Sequence, residues 1–211
     1  MAIQVNGLSG TTLEADATFK SLRTTVRPAE GLGFYSWGAV SGALTAVAAN
    51  GPVFSFRNTG PNLAIVRKVM VGFVTTTAFT TAQGLTYSLI KANAFTASDS
   101  GGTALFTAGA NKHRNSFTNW SSAPDVRISS TGALTAGTRT LETVGIGVVG
   151  GTSNGVGTSM QGFRMFDQDT GDYPLVFAQN EGFIITNLIA MGALGVIQLH
   201  VNIEVAETTS Y

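Results

Sequence analysis

Three carboxylates lie close together at Asp167, Asp169 and Asp172, and this spacing could supply oxygen ligands to a cation. A calcium-binding EF-hand loop uses such alternating positions, but it also requires Gly at position six and a bidentate Glu at position twelve. Counted from Asp167, those positions hold Asp172 and Ala178. We therefore expect a solvated turn, and a cation held between subunits remains the open alternative.

A glycine-rich segment, Gly145-Ile146-Gly147-Val148-Val149-Gly150, matches the dinucleotide-binding fingerprint by its letters. That motif requires a strand and a tight turn leading into a helix whose N-terminus holds pyrophosphate. The residues that follow include Gly151, Gly155 and Gly157, which disfavour a helix. We expect a glycine-rich loop here and no nucleotide cofactor.

The sequence offers little support for a catalytic nucleophile or a metal site. The chain has no cysteine, and its two histidines are His113 and His200. Ser116 lies near His113 in the sequence, but no nucleophile-elbow pattern surrounds it. His200 falls on the polar side of an alternating segment, where a surface or interface histidine is expected. The sequence thus predicts no enzymatic activity, no catalytic residue, no metal site and no organic cofactor.

Charged residues are unusually scarce. Asp, Glu, Lys and Arg make up 11% of the 211 residues, whereas an ordinary soluble domain has about 25%. Twelve basic and twelve acidic residues give a net charge of +0, so no long-range repulsion opposes the association of copies. The composition favours a component of a larger assembly. The balance of charges argues against a specific nucleic-acid partner, which normally needs a basic face.

Export and membrane insertion are not indicated. The first six residues lack the basic and apolar regions of a secretory signal. The longest apolar stretch, residues 183–197, is interrupted by Thr186, Asn187 and Gly192. It is also shorter than the about 20 residues of a membrane helix. We expect neither a cleaved signal nor a membrane partner.

Short apolar segments separated by turn residues predict an all-β fold. Twenty-six glycines, five prolines and repeated threonine runs favour strands and turns. The predicted strands are residues 34–37, 53–57, 63–73, 85–90, 126–128, 140–149, 183–189 and 197–205. This pattern is typical of an antiparallel β-sandwich, which we expect to be jelly-roll-like. The middle, residues 94–162, is predicted to be rich in loops, with 150–155 as a strong strand breaker.

The last two predicted strands show the clearest pattern. In the final one, a buried face is predicted for Ile197, Leu199, Val201, Ile203 and Val205. The residues between them, Gln198, His200, Asn202 and Glu204, would form a polar face. We expect the two strands to form a terminal hairpin through the small residues of 190–195.

The first thirty residues have a different character. Apolar positions are scattered, neither face of an extended segment 19–28 is cleanly apolar, and Pro28 would end strand pairing. We predict an extended N-terminal arm, residues 1–30, that lies along a neighbouring surface, with an edge strand of the same domain as the alternative. Residues 31–211 are predicted to form a single β-sandwich domain.

Several phrases spread over most of the chain carry a family resemblance. They are Pro52-Val53-Phe54-Ser55-Phe56-Arg57, Ala94-Phe95-Thr96-Ala97-Ser98-Asp99, Arg127-Ile128-Ser129-Ser130, Leu134-Thr135-Ala136-Gly137-Thr138-Arg139-Thr140-Leu141, Asp172-Tyr173-Pro174-Leu175-Val176 and Gln179-Asn180-Glu181-Gly182-Phe183. In these the chain resembles a group of tailed-bacteriophage virion proteins of similar length. The resemblance implies a structural subunit in the style of jelly-roll capsid cement or decoration proteins. It implies residence in the virion after assembly in the bacterial host cytoplasm, with the major capsid protein and copies of itself as partners.

Two functions stay open at this point. The first is a cement protein that bridges capsomers, with its arm and strand edges making the contacts. The second is a tail-associated or receptor-binding protein whose loops in 94–162 present Phe117 and Trp120 to a carbohydrate. The sequence shows no coiled-coil or β-helix repeat of the kind that forms a fibre shaft, which favours the first function.

Overall fold

Alternating apolar residues favour strands, and frequent turn residues separate them. The computed structural model accordingly consists mainly of strands. The described residues are 33–106, 111–113, 119–170 and 173–209. The strands are β1 Gly33–Val40, β2 Leu44–Thr45, β3 Gly51–Arg57, β4 Leu63–Thr77, β5 Gln83–Asn93, β6 Thr103–Ala104, β7 Asp125–Ile128, β8 Thr140–Leu141, β9 Gly147–Ser153, β10 Ser159–Asp167, β11 Leu175–Phe177, β12 Gly182–Asn187 and β13 Val196–Thr208. Helical structure in these ranges is limited to a 3₁₀ turn at Gln168–Thr170.

The strands form two antiparallel sheets packed face to face. The first sheet has the order β1-β13-β4-β10, with β2 on β13 and β11 on β4. The second has the order β6-β7-β3-β12-β5-β8, with β9 on β5. Side chains from both sheets fill the space between them; the rings of Phe73 on β4 and Tyr87 on β5 lie 6.4 Å apart. The predicted all-β sandwich is confirmed.

Eight principal strands follow the order of a jelly roll. Numbered one to eight along the chain, they are β1, β3, β4, β5, β9, β10, β12 and β13. Their order is then 1-8-3-6 in the first sheet and 2-7-4-5 in the second. Most connections therefore cross from one sheet to the other, as in double-sheet jelly rolls. The small strands β6, β7 and β8 belong to a long insertion between β5 and β9.

The predicted faces of β13 are confirmed, but the predicted terminal hairpin is wrong. Ile197, Leu199 and Ile203 are buried, whereas His200 and Asn202 are exposed. However, β12 pairs with β3 and β5 in the second sheet, and β13 pairs with β1 and β4 in the first. The connection through 190–195 thus crosses the sandwich. All six residues of β12 are buried, and a strand buried on both faces does not reveal from its sequence which sheet it joins.

The strands in the middle of the chain differ from those predicted. Residues 140–149 do not form one strand: β8 covers two of them, and β9 begins at Gly147 and continues through the expected breaker to Ser153. Glycine is needed at the start of β9, because a Cβ on Gly147 would overlap the Met165 carbonyl oxygen of β10. Strand β10 was not predicted either, because two bulges disturb its alternation.

An aromatic cluster fills one region of the core. Trp120 is 4% exposed, and its ring centroid lies 4.8 Å from Tyr35, 5.9 Å from Trp37 and 6.5 Å from Phe56. The expectation that Trp120 is presented to a carbohydrate is therefore wrong, because burying this large ring stabilises the sandwich instead. Phe117 lies outside the described residues. So do the predicted arm, residues 1–30, and the start of the predicted domain at residue 31.

Candidate functional site

A shallow depression of about 460 Å³ opens on the outer face of the first sheet. Its lining residues come from three adjacent strands, β13, β4 and β10: His200 and Asn202; Gly72, Phe73 and Val74; Ser159, Met160, Gln161 and Gly162. The polar face predicted for the last strand thus forms one side of the depression.

A glycine and a bulge create this depression. Strand register places Gly72 beside His200, and Gly72 lacks the side chain that would otherwise project from the sheet. On the other side, β10 shifts register between Met160 and Phe163, and Gly162 has a φ of 27°. A Cβ on Gly72 would lie 2.6 Å from the Met160 carbonyl oxygen. Glycine is therefore needed where the bulged backbone approaches β4.

The residues that line the depression include no carboxylate, ammonium or guanidinium group. Their polar side-chain groups are the imidazole of His200, the amides of Asn202 and Gln161 and the hydroxyl of Ser159. Such groups donate and accept hydrogen bonds without a net field. The arrangement suits a neutral hydroxyl-rich ligand better than an anion or a cation.

Arginines pair with the two described carboxylates of the acidic turn, Asp167 and Asp169. Asp167 is 5% exposed at the end of β10 and accepts a hydrogen bond from Arg164 at 3.1 Å and from the Asp169 backbone N–H at 3.0 Å. The exposed Asp169 pairs with Arg67 at 2.8 Å. The expected solvated turn is correct for Asp169 and wrong for Asp167, because the strand carries Asp167 into the structure. Asp172 lies outside the described residues.

A second polar group is buried beneath the loops of the second sheet. Asp99 accepts hydrogen bonds from Arg139 and from the Gly137 N–H, the latter at 2.7 Å. The guanidinium groups of Arg139 and Arg57 lie 5.8 Å and 5.6 Å from the Phe95 ring centroid. Burial lowers the pKa of Arg139, and the neighbouring Asp99 partly opposes this effect. The cluster joins segments that are far apart in the sequence.

Arg57 extends this cluster to the segment before β12. Its guanidinium donates to Ser98 Oγ at 2.9 Å and to Asn180 Oδ1 at 2.6 Å. Buried Nε atoms of Arg57 and Arg139 and the Oδ2 atom of Asp99 have no hydrogen-bond partner. The positions 57, 99 and 139 were not singled out as a site by sequence reasoning, since three charges on one strand and two distant loops have no recognisable spacing. The Asp99–Arg139 pair joins two segments of the long insertion, and Arg57 of β3 connects that insertion to the sandwich.

Glu207 is a buried carboxylate at the end of β13. It accepts hydrogen bonds from the Ser121 backbone N–H at 3.1 Å, from the Ser121 hydroxyl and from Asn62 Nδ2 at 2.9 Å. Together with burial, which is the larger cause, its charge raises the pKa of Tyr35 to about 12. Glu207 thus anchors the segment that carries Trp120 into the core.

His113 and Arg67 both pack against the ring of Phe34. His113 Nε2 contacts Ser36 Oγ, and its ring packs edge-on against Phe34 at 4.2 Å. Ser116 lies outside the described residues, so the structure does not test its proximity to His113. Arg67 pairs with Asp169, as described above, and lies over the Phe34 ring. Among the described residues, no group of three or more His, Cys, Asp and Glu side chains is arranged to hold a metal ion.

Apolar side chains are exposed along one edge of the second sheet. This strip comprises Leu141, Val144, Ile146 and Val148, with exposed fractions of 40%, 74%, 38% and 57%. The strip runs alongside β5. Leu141 pairs with Ala92 and Val148 pairs with Ser88. Between them, the Ile146 N–H donates a hydrogen bond to the Leu89 carbonyl at 2.8 Å. We call these four residues the apolar edge.

In the described residues, no helix is long and apolar enough to cross a membrane. Comparison with protein-family models, curated proteins and solved structures finds no match for this chain.

Proposed function

We propose that this protein is a non-enzymatic structural subunit of a bacteriophage virion, most simply a capsid cement protein that bridges and stabilises capsomers. The observation that carries the proposal is the jelly-roll strand order in a chain with very few charges. Jelly rolls occur in viral capsid domains and also in lectins and cupins. Because a fold does not by itself imply a function, the surface supplies the second part of the support.

The surface suits close packing against other subunits. Several charged groups are neutralised within the subunit, by the pairs Arg67–Asp169, Lys91–Glu142, Arg127–Asp125 and Arg164–Asp167. Little net field remains to repel a second copy. The apolar edge adds side chains whose burial in an interface would be favourable by about 25 cal/mol per Å². The partners in this proposal are the major capsid protein and copies of the chain itself.

Quantitative mass spectrometry of purified particles tests the proposal. We expect hundreds of copies per particle, in a fixed ratio to the major capsid protein. A handful of copies would place the chain in the tail, and absence from the particles would overturn a structural role altogether.

Deletion of residues 2–27 tests the predicted arm as the attachment element. We expect the deleted protein to melt cooperatively and to lose incorporation into particles. The matched comparison is a full-length variant with Val144→Ser and Val148→Ser, which removes apolar area from the edge while keeping the arm. Full occupancy by the arm deletion together with loss of occupancy by the edge variant would assign attachment to the sandwich.

A second function, binding of a neutral glycan by a tail-associated or receptor-binding protein, is supported by the depression rather than by the loops. His200 and Asn202 offer donors and acceptors beside a glycine floor, as sugar hydroxyls require. Binding of the purified protein to an array of neutral oligosaccharides tests this function. Asn202→Ala should then weaken binding by about fivefold, since a hydrogen bond contributes roughly 1 kcal/mol. Gln198→Ala, on the same face but outside the depression, is the matched control. Absence of binding, or equal loss in both variants, would exclude the site.

A further inference from the structure

We propose that Asn154 is a site of spontaneous deamidation, which converts the turn between β9 and β10 to an aspartyl or isoaspartyl form. The sequence contains Asn-Gly at Asn154-Gly155 and at Asn50-Gly51, and a third at positions 6–7, outside the described residues. An Asn-Gly pair is reactive because glycine leaves the following backbone nitrogen accessible and conformationally free. The structure separates the two described pairs clearly.

Asn154 meets the requirements for the reaction. Its side chain is exposed, and the turn carries Gly155 and Gly157. A Cβ placed on Gly155 would have no heavy atom within 4 Å, so the backbone around the reacting nitrogen has open space. The Gly155 carbonyl accepts a long hydrogen bond, 3.3 Å, from the Thr158 backbone N–H. Among the described residues, the Gly155 N–H has no acceptor.

Asn50 has an exposed side chain as well, but its backbone is held. The Gly51 N–H donates to the Ala48 carbonyl at 3.1 Å, and the Asn50 N–H donates to the Asn187 carbonyl at 2.6 Å. Gly51 is buried at the start of β3, and a Cβ there would lie 2.9 Å from Ala133. The nitrogen of Gly51 can therefore attack only after this part of the sheet opens.

The reaction requires only water as a co-reactant. The Gly155 backbone nitrogen, having lost its proton to solvent base, attacks Cγ of Asn154 and closes a succinimide ring. The bond from Cγ to Nδ2 breaks and ammonia leaves. Water then adds to one of the two ring carbonyls, and the ring bond from that carbonyl carbon to nitrogen breaks, which yields aspartate or isoaspartate. The chain, which starts at a net charge of +0, gains one negative charge.

Peptide mapping of the purified full-length protein tests the proposal. After incubation in mildly alkaline buffer, the peptide containing Asn154 should gain about one dalton and become a substrate for an isoaspartyl methyltransferase. We expect its rate to exceed that of the Asn50 peptide by at least about tenfold, because Asn50 must first be released from the sheet. Ion exchange should show an acidic form accumulating at the same rate as the modified Asn154 peptide.

Two comparisons separate the effect of structure from that of sequence. Gly155→Ala adds a methyl group into open space, keeps the fold and should slow the reaction at Asn154 by about tenfold. In the urea-unfolded chain the rates at Asn154 and Asn50 should converge. An unreactive Asn154 in the folded protein, or a difference from Asn50 that persists after unfolding, would overturn the proposal.

Discussion

Asp99 and Arg139 form an ion pair whose side chains are 0% and 4% exposed, although the two residues stand 40 positions apart on different loops. Such a pair is costly to separate, since either charge left alone would remain buried. The pair shares the Phe95 ring with Arg57. The pair therefore closes the insertion between β5 and β9 on itself, while Arg57 of β3 connects the insertion to the sandwich through Ser98 and the Phe95 ring.

Asp99→Asn should destabilise the protein by about 3–5 kcal/mol, because it leaves the buried guanidinium of Arg139 without a countercharge. Urea unfolding measures this loss. Asp169→Asn is the matched control, since its pair with Arg67 is well exposed on the carboxylate side, and it should cost less than about 1 kcal/mol. Equal small losses in the two variants would show that the Asp99–Arg139 pair does not stabilise the folded protein.

Glu207→Ala should lower the free energy of unfolding by roughly 1–3 kcal/mol, because the Ser121 N–H and the Asn62 amide lose their buried acceptor. It should also lower the pKa of Tyr35, since the Glu207 charge contributes to raising that pKa. Glu204→Ala, three positions earlier on the outer side of β13, is the control and should do neither. Thermal melts and tyrosine absorbance titrations of both variants check these outcomes.

Alkaline pH should unfold the protein. Burial is the main cause that raises the pKa of Tyr35 to about 12, and it raises the pKa of Tyr87 further. An unfolded tyrosine ionises near pH 10, so the folded state is relatively disfavoured above that pH. Stability should be fully present below about pH 10 and should decrease as pH rises toward 12.

The rise of tyrosinate absorbance from these two residues should coincide with loss of the circular dichroism signal. Tyr35→Phe should reduce the alkaline loss of stability relative to the unmodified protein. Ionisation of both buried tyrosines with the sandwich intact would contradict this account.

Ile203→Asp should prevent folding or destabilise the domain by several kcal/mol, because it places an unpaired charge in the buried face of β13. Asn202→Asp introduces the same charge one residue away, on the exposed face, and should melt almost normally. A cooperative, near-normal melt of Ile203→Asp would contradict the assignment of the two faces.

The fold class followed from local chemistry. On β5, alternate residues Leu85, Tyr87 and Leu89 are all buried on one face. The apolar residues of β13 show the same alternation. Strand alternation depends on neighbouring residues alone, so it is visible without a structure. Strand alternation predicted only part of the candidate site. His200 was correctly placed on a polar face, whereas Gly72 and the β10 bulge were not recognised, because a bulge disrupts the period on which the prediction depends.

By itself, the sequence determined an all-β chain, the inward and outward faces of its clearest strands and a surface with little charge. Only the tertiary structure decided that β12 and β13 join different sheets, that Trp120 is buried, and that Asp99, Arg139 and Arg57 meet around Phe95. The physical reason is the range of the interactions. The face of a strand is set by the pleat of a few residues, whereas strand partners and buried polar contacts depend on segments that only the folded chain brings together.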